Sequence, residues 1–110
     1  MSTPHQVKDR LLDATDEVAR LGVEGCGGVA IQLLGTWSGT VTFEATVEGN
    51  TWVALTMFPS NSATGASTAT ANGVWSSNVA GYTAVQARFS TATSGGVRVT
   101  VRSCQASGRW

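Results

Sequence analysis

Residues 40–48 alternate strictly. Val41, Phe43, Ala45 and Val47 fall on one side of an extended chain, and Thr40, Thr42, Glu44, Thr46 and Glu48 on the other. Successive side chains of a strand point to opposite faces, so this period of two gives a half-buried strand and excludes a helix, whose apolar stripe repeats every three to four residues. The pattern returns at the far end of the chain, where Val97, Val99 and Val101 alternate with Arg98, Thr100 and Arg102. Val29, Ile31 and Leu33 make a shorter run, separated from the first by the turn-rich Gly35–Gly39. Glu48-Gly49-Asn50 marks a hairpin turn into a strand over 51–58, in which Val53, Leu55 and Met57 alternate with Trp52, Ala54 and Thr56. Residues 59–72 read as a polar loop. Strands resume over 73–79, 83–90 and 96–104, with turns at Ala80-Gly81 and Thr93-Ser94-Gly95. Short strands with turn signals every 8–12 residues or so predict an all-β fold, a small antiparallel β-sandwich or jelly-roll-like domain over residues 26–110.

Residues 1–25 read differently. Val7, Leu11, Ala14, Val18 and Leu21 are spaced 4, 3, 4 and 3 apart, the period of an amphipathic helix, after Thr3-Pro4 and before the glycines at 22, 25, 27 and 28. So short a helix is marginal alone in water and needs a surface to lie on. The expectation is a short N-terminal helix or arm that packs on its own domain, orders on a neighbouring subunit or stays disordered, with Val7, Leu11, Val18 and Leu21 as its binding residues.

Charge restricts the function. Seven Lys and Arg balance seven Asp and Glu, against the basic excess of a nucleic-acid or anionic-membrane binder. Residues 1–24 hold three cations and five anions, the remainder four arginines and two glutamates, and no charge stands between Glu48 and Arg88. That uncharged stretch is rich in Ser, Thr, Asn and Gly and never runs to the ~20 apolar residues of a membrane-spanning helix. The opening MSTPHQVKDRLLDATDEV has charges where a secretory signal has its apolar core, so synthesis in a cytoplasm is expected.

Catalytic groups are scarce. Residues 26–110 contain no His, Asp or Lys, which leaves nucleophilic triads without a base. Glu44 and Glu48, on one strand face, lie roughly 13 Å apart, beyond the separation of glycosidase carboxylates. Loop asparagines without Asp do not make a calcium site, and no glycine cluster has the Lys or helix start of a phosphate loop. The expectation is a non-enzymatic protein with no cofactor and no metal. Four tryptophans, at 37, 52, 75 and 110, are candidates for core, interface or sugar stacking. Arg109-Trp110 has the composition of an interface anchor, and Arg98 and Arg102 can steer a partner. Cys26 and Cys104 are either two thiols or, if the first and last strands are neighbours, a disulfide. Outward faces of Thr, Ser, Ala and Gln, and sheet edges lacking charged guards, suggest neighbours that cover them.

The runs GTWSGTVTFEATVEGNTWVAL (35–55) and ANGVWSSNVAGYTAVQARFSTATSGGVRVTVRSC (71–104) resemble a small β-rich domain of tailed-bacteriophage virion proteins. The matching segments are Gly35–Glu44, Thr51–Leu55, Asn78–Gly81 and Thr93–Arg102, within residues 28–104. The resemblance implies a structural protein of the virion. A free-standing domain from Met1 to Trp110 suits a capsid decoration (cement) protein on the outer capsid lattice, made in the bacterial host cytoplasm. Its partners would be the major capsid protein and copies of itself, as a homo-oligomer or trimer. The alternative is a tail, baseplate or head-fibre module, with glycan recognition through Trp52, Trp75 or the 59–72 loop.

Overall fold

The computed structural model describes residues 7–60, 62 and 64–105, the last two of these by their backbone. Among the described residues ten strands form two antiparallel sheets: β1 (Val7–Leu12), β2 (Val18–Gly22), β3 (Cys26–Leu34), β4 (Trp37–Thr46), β5 (Val53–Ala54), β6 (Phe58–Pro59), β7 (Thr68–Ala69), β8 (Gly73–Asn78), β9 (Ala84–Gly95) and β10 (Val97–Gln105). Sheet A has the order β1-β10-β3-β8-β6, and sheet B β2-β9-β4-β5 with β7 also on β4. The expected β-sandwich is therefore present, and no helix is found among the described residues.

The inward faces follow the alternation read from sequence. Ile31, Leu33, Val97, Val99 and Val101 of sheet A meet Val41, Phe43, Val85 and Phe89 of sheet B, all fully buried. Phe43 leans on Trp75 at 5.6 Å between ring centroids, and Trp37 meets Phe89 edge-on at 5.7 Å. Each aromatic ring of this kind removes on the order of 150–250 Å² from water, so these two pairs anchor the centre and one end of the core.

Residues 7–25 are not a helix but edge strands of the sandwich. β1 pairs with β10 from Val7↔Arg102 to Leu12↔Val97, and β2 with β9 from Val18↔Arg88 to Gly22↔Ala84. Leu12, Ala19, Leu21 and Val23 enter the common core. The helical spacing is misleading because an edge strand hides its alternation: Lys8 and Arg10 share the inward parity of Leu12 yet reach solvent past the rim. Pairing to β9 and β10 satisfies backbone groups that a lone short helix leaves open at its ends. Nor is this edge unguarded. Arg10 donates to the Val18 carbonyl at 2.6 Å and approaches Glu17 at 3.6 Å, placing charge where a foreign strand would add.

Two further expectations change. The single strand over 51–58 is split, with β5 in sheet B and β6 in sheet A, and the chain crosses between sheets through buried Leu55 and Met57. The Thr93-Ser94-Gly95 turn is instead the end of β9, paired to Trp37 and Ser38, with register shifts at Ser38/Gly39 and Thr40/Val41. The reversal into β10 then falls at Gly95-Gly96.

Candidate functional site

The outer faces of the two sheets are built on opposite plans. On sheet B the outward positions of β2, β9 and β4 form a charged ladder. Arg88 grips Glu44 in bidentate fashion, Nε to Oε1 at 3.1 Å and Nη2 to Oε2 at 3.0 Å, and its Nη1 donates to Asp16 at 3.0 Å. Gln86, buried, donates to Glu44 Oε1 at 2.7 Å and accepts from Arg20 Nε at 3.0 Å. The Arg20 guanidinium in turn lies 4.7 Å over the Trp52 ring. Desolvation pushes the Glu44 carboxyl up, but the hydrogen bonds from Arg88 and Gln86 and the Arg88 charge outweigh it and hold the group below the usual carboxylate range. The same pairing raises Arg88. Every member is engaged by a neighbour, so this face is a brace across three strands, and it also ties down the β1–β2 turn at Asp16.

The brace carries a pH dependence. A carboxyl depressed in the folded state stabilises the fold above its unfolded pKa of 4.5 or so, and loses that stabilisation as pH falls through the lower folded value. Arg88→Ala is expected to cost about 2–3 kcal/mol at pH 7, because Glu44 keeps only 14% of its side chain in solvent and loses its charged partner. The deficit relative to wild type should shrink by pH 3. Denaturant titrations of both proteins at the two pH values measure it.

Sheet A is different. Its outward positions are Val7, Asp9 and Leu11 on β1, Arg98, Thr100 and Arg102 on β10, Ala30, Gln32 and Leu34 on β3, Val74, Ser76 and Asn78 on β8, and Phe58 on β6. Val7, Leu11, Leu34, Phe58 and Val74 keep 39–50% of their surface in solvent. One ion pair, Arg98 Nε to Asp9 Oδ1 at 3.2 Å, crosses from β10 to β1. Because the central strand carries only Gly28 and Ala30 between the taller Arg102 and Phe58, the face sinks there into a depression of about 610 Å³, bordered also by Ser76 and Asn78. A smaller hollow of about 220 Å³ lies beside it, between Arg102 and Val74.

Among the residues singled out from sequence, Val7, Leu11, Arg98 and Arg102 come together on this face, with Val7 opposite Arg102 and Leu11 opposite Arg98. Val18 and Leu21 do not join them: Val18 is on the outer face of sheet B and Leu21 is in the core. Arg109 and Trp110 lie outside the described residues. Cys26 is a free thiol. The first and last body strands are neighbours, with Cys104 opposite Gly28 and Gln105 opposite Cys26, and the side chain of Cys104 is outside the described residues. Trp75 belongs to the core, one ring face of Trp52 is taken by Arg20, and Trp37 donates its indole N–H to Asn72 at 2.7 Å. Phe58, Leu34 and Val74 were missed in sequence. Leu34 and Val74 have outward parity in their strands, which was a usable signal, whereas Phe58 reaches the face only through the crossing between sheets.

Among the described residues no three His, Cys, Asp or Glu side chains gather as metal ligands, and no helix is long and apolar enough to cross a membrane. No family model matches the chain, and no curated protein matches it in sequence. Its fold is similar to that of the SPBc2 prophage-derived protein YomS, at 16% identity over 94% of this chain and 96% of that one, with a TM-score of 0.75. It is equally similar to the PBSX exported protein XepA, at 17% identity and a TM-score of 0.75, where 94% of this chain covers 39% of the other. This chain therefore spans about two-fifths of XepA.

Proposed function

We propose that the protein is a non-enzymatic, phage-associated structural module, a decoration protein of the capsid that docks on the lattice through the outer face of sheet A. The observation that carries this reading is that face: five half-exposed apolar side chains and a depression bordered by one of them, Phe58, opposite a sheet whose outer face is braced by the Asp16, Glu44 and Arg88 charges. Apolar surface collected on one side of a small domain is the mark of an interaction site. The prophage origin of YomS, whose fold is similar over 94% of this chain, supports the phage setting. The engagement of Glu44, Arg88 and Gln86 by one another supports a structural rather than catalytic use of the ionisable groups.

The mode of docking differs from an arm that reaches to a neighbour, since residues 7–25 belong to the sandwich. Five strands about 4.8 Å apart and roughly 20 Å long offer on the order of 500 Å² per face, short of the ~800 Å² per partner of a standard interface. One face alone would bind a lattice weakly. Self-association into a trimer would present several faces together and raise the overall affinity without new contacts, so the partners in this reading are the major capsid protein and two further copies of the chain.

Mass spectrometry of purified particles tests the assignment by copy number. Stoichiometry comparable with the capsid protein supports decoration of the shell. A handful of copies per particle would assign the chain to the tail, and absence from particles would remove the structural role.

A further inference from the structure

We propose that Asn72-Gly73 is a site of spontaneous covalent modification, deamidation of Asn72, and that a two-bond latch on the Asn72 side chain holds the reaction back in the folded protein. Residues 70–72 carry the chain from β7 of sheet B to β8 of sheet A. At the end of that crossing the Asn72 Oδ1 accepts the Trp37 indole N–H at 2.7 Å, and its Nδ2 donates to the Gly35 carbonyl at 3.0 Å. These partners fix the orientation of the amide, since an indole N–H only donates and a carbonyl only accepts. Both are themselves anchored. Trp37 packs edge-on against buried Phe89 at 5.7 Å, and Gly35, at φ +126°, lies so close to Gly96 that an added Cβ would stand 2.8 Å from the Gly96 carbonyl oxygen. Asn72 therefore joins the β3–β4 turn, the start of β4 and the start of β8.

The residue that follows makes the amide reactive. A glycine, without a Cβ, leaves its backbone nitrogen open to the neighbouring side chain, and of the asparagines at 50, 61, 72 and 78 only Asn72 precedes glycine. Packing favours glycine there: a Cβ on Gly73 would stand 3.1 Å from the ring of buried Trp75, which leans in turn on Phe43. In the reaction the Gly73 nitrogen gives its proton to solvent hydroxide and bonds to the Asn72 Cγ, the Cγ–Nδ2 bond breaks, and ammonia leaves with a proton from water. Water then opens the succinimide ring, giving aspartate at position 72 or, by cleavage on the main-chain side, isoaspartate. One water is consumed and one ammonia released, with no redox change. Asn72 is exposed, so water reaches it. Attack requires Cγ to turn onto the Gly73 nitrogen, a motion that both hydrogen bonds resist, and at ordinary net strength each lowers the released population about fivefold. Conversion removes the Nδ2 donor and sets an oxygen against the Gly35 carbonyl, and the isoaspartate form also adds a carbon to the main chain just ahead of the Gly73↔Leu33 pair. The modification thus unlocks one end of the sandwich. The inference stands on the surroundings of Asn72 and does not depend on the docking role.

The test is peptide mass spectrometry of the full chain aged at mildly alkaline pH, with the aspartate and isoaspartate products separated by chromatography. Conversion is expected first at Asn72, and at least about tenfold faster in urea-unfolded wild type than in the folded protein. Trp37→Phe keeps a ring against Phe89 but has no N–H to donate, and the folded variant should convert about fivefold faster than folded wild type. If that variant does not fold, benzothienylalanine at position 37 keeps the shape of the indole without its N–H and should give the same acceleration. Asn72→Asp, which copies one product, should lower Tm by about 5 °C. Equal rates in folded and unfolded wild type, or a wild-type rate in the folded protein lacking the N–H, overturn the latch. Earlier conversion at Asn50, Asn61 or Asn78 overturns the assignment of the site, and an unchanged Tm for Asn72→Asp overturns the unlocking.

Discussion

Removal of residues 1–24 is expected to abolish folding rather than release a trimmed domain. The deletion takes away β1 and β2, one edge of each sheet, and with them the buried side chains of Leu12, Ala19, Leu21 and Val23. At about 1.5–3 kcal/mol for each large apolar side chain fully buried, the three larger residues alone supply roughly 5–9 kcal/mol. That is the size of the whole stability of many domains of this length. The loss also bares the long edges of β9 and β10, now without the Arg10 guard, as templates for strand addition. The truncated chain should be insoluble or give poorly dispersed amide spectra. A soluble product with a cooperative thermal transition would mean that residues 7–24 are dispensable to the sandwich.

The second large effect is expected at Gly39. This residue sits between the two register shifts of β4, at φ +140°, and a Cβ built on it would stand 1.9 Å from the Thr91 carbonyl oxygen and 3.0 Å from the Phe89 ring. Neither obstacle can step aside cheaply, since one is backbone of the paired strand and the other is in the core. Gly39→Ala combines a backbone conformation that L residues avoid with overpacking, about 4 kcal/mol together, or a fall in Tm of roughly 20 °C. Gly49→Ala is the control: its φ is +100° but nothing lies within 4 Å of the added carbon, so only the conformational cost of about 1 kcal/mol should appear. Equal effects at the two positions would show that the close approach of β4 to β9 is not as described.

The parts of the fold visible in the sequence are those in which one face of a strand is buried along its length. β3, β4 and β10 show this most plainly, because Ile31 and Leu33, Val41 and Phe43, and Val97 to Val101 meet the opposite sheet while their neighbours meet water. β1 lacks that contrast. Of its six residues only Leu12 is buried, so the remaining apolar positions, Val7 and Leu11, fell by chance into a helical spacing with Val18 and Leu21. The crossing at 55–57 keeps the parity of a strand, with Leu55 and Met57 both buried, and only tertiary pairing reveals that the chain changes sheets. The site shows the same division. Outward parity on β10 marks Arg98 and Arg102, whereas the depression exists only because Gly28 and Ala30 of β3 fall between Arg102 and Phe58, residues brought from strands 44 positions apart in the chain.

The neutral charge count acquires a structural meaning from this arrangement. Asp16, Glu44 and Arg88 on sheet B, Arg10 and Glu17 at the rim, and Asp9 with Arg98 on sheet A are paired within the molecule. These pairs brace sheet B and guard an edge, while the outer face of sheet A presents Val7, Leu11, Leu34, Phe58 and Val74 to solvent beside Asp9 and Arg98. An interaction surface of this kind is sensitive to added charge while its exposed positions tolerate substitution in the free protein, which separates binding from folding.

The most direct measurement is the occupancy of particles by a variant carrying Leu11→Glu and Val74→Glu, at half-exposed positions on β1 and β8 of the outer face of sheet A, compared with wild type at equal free concentration. Docking through this face predicts that the variant melts within a few degrees of wild type and yet occupies particles at least tenfold less, a difference of about 1.4 kcal/mol or more in binding free energy. Wild-type occupancy by the folded variant would contradict the account and move the interface to another surface of the sandwich.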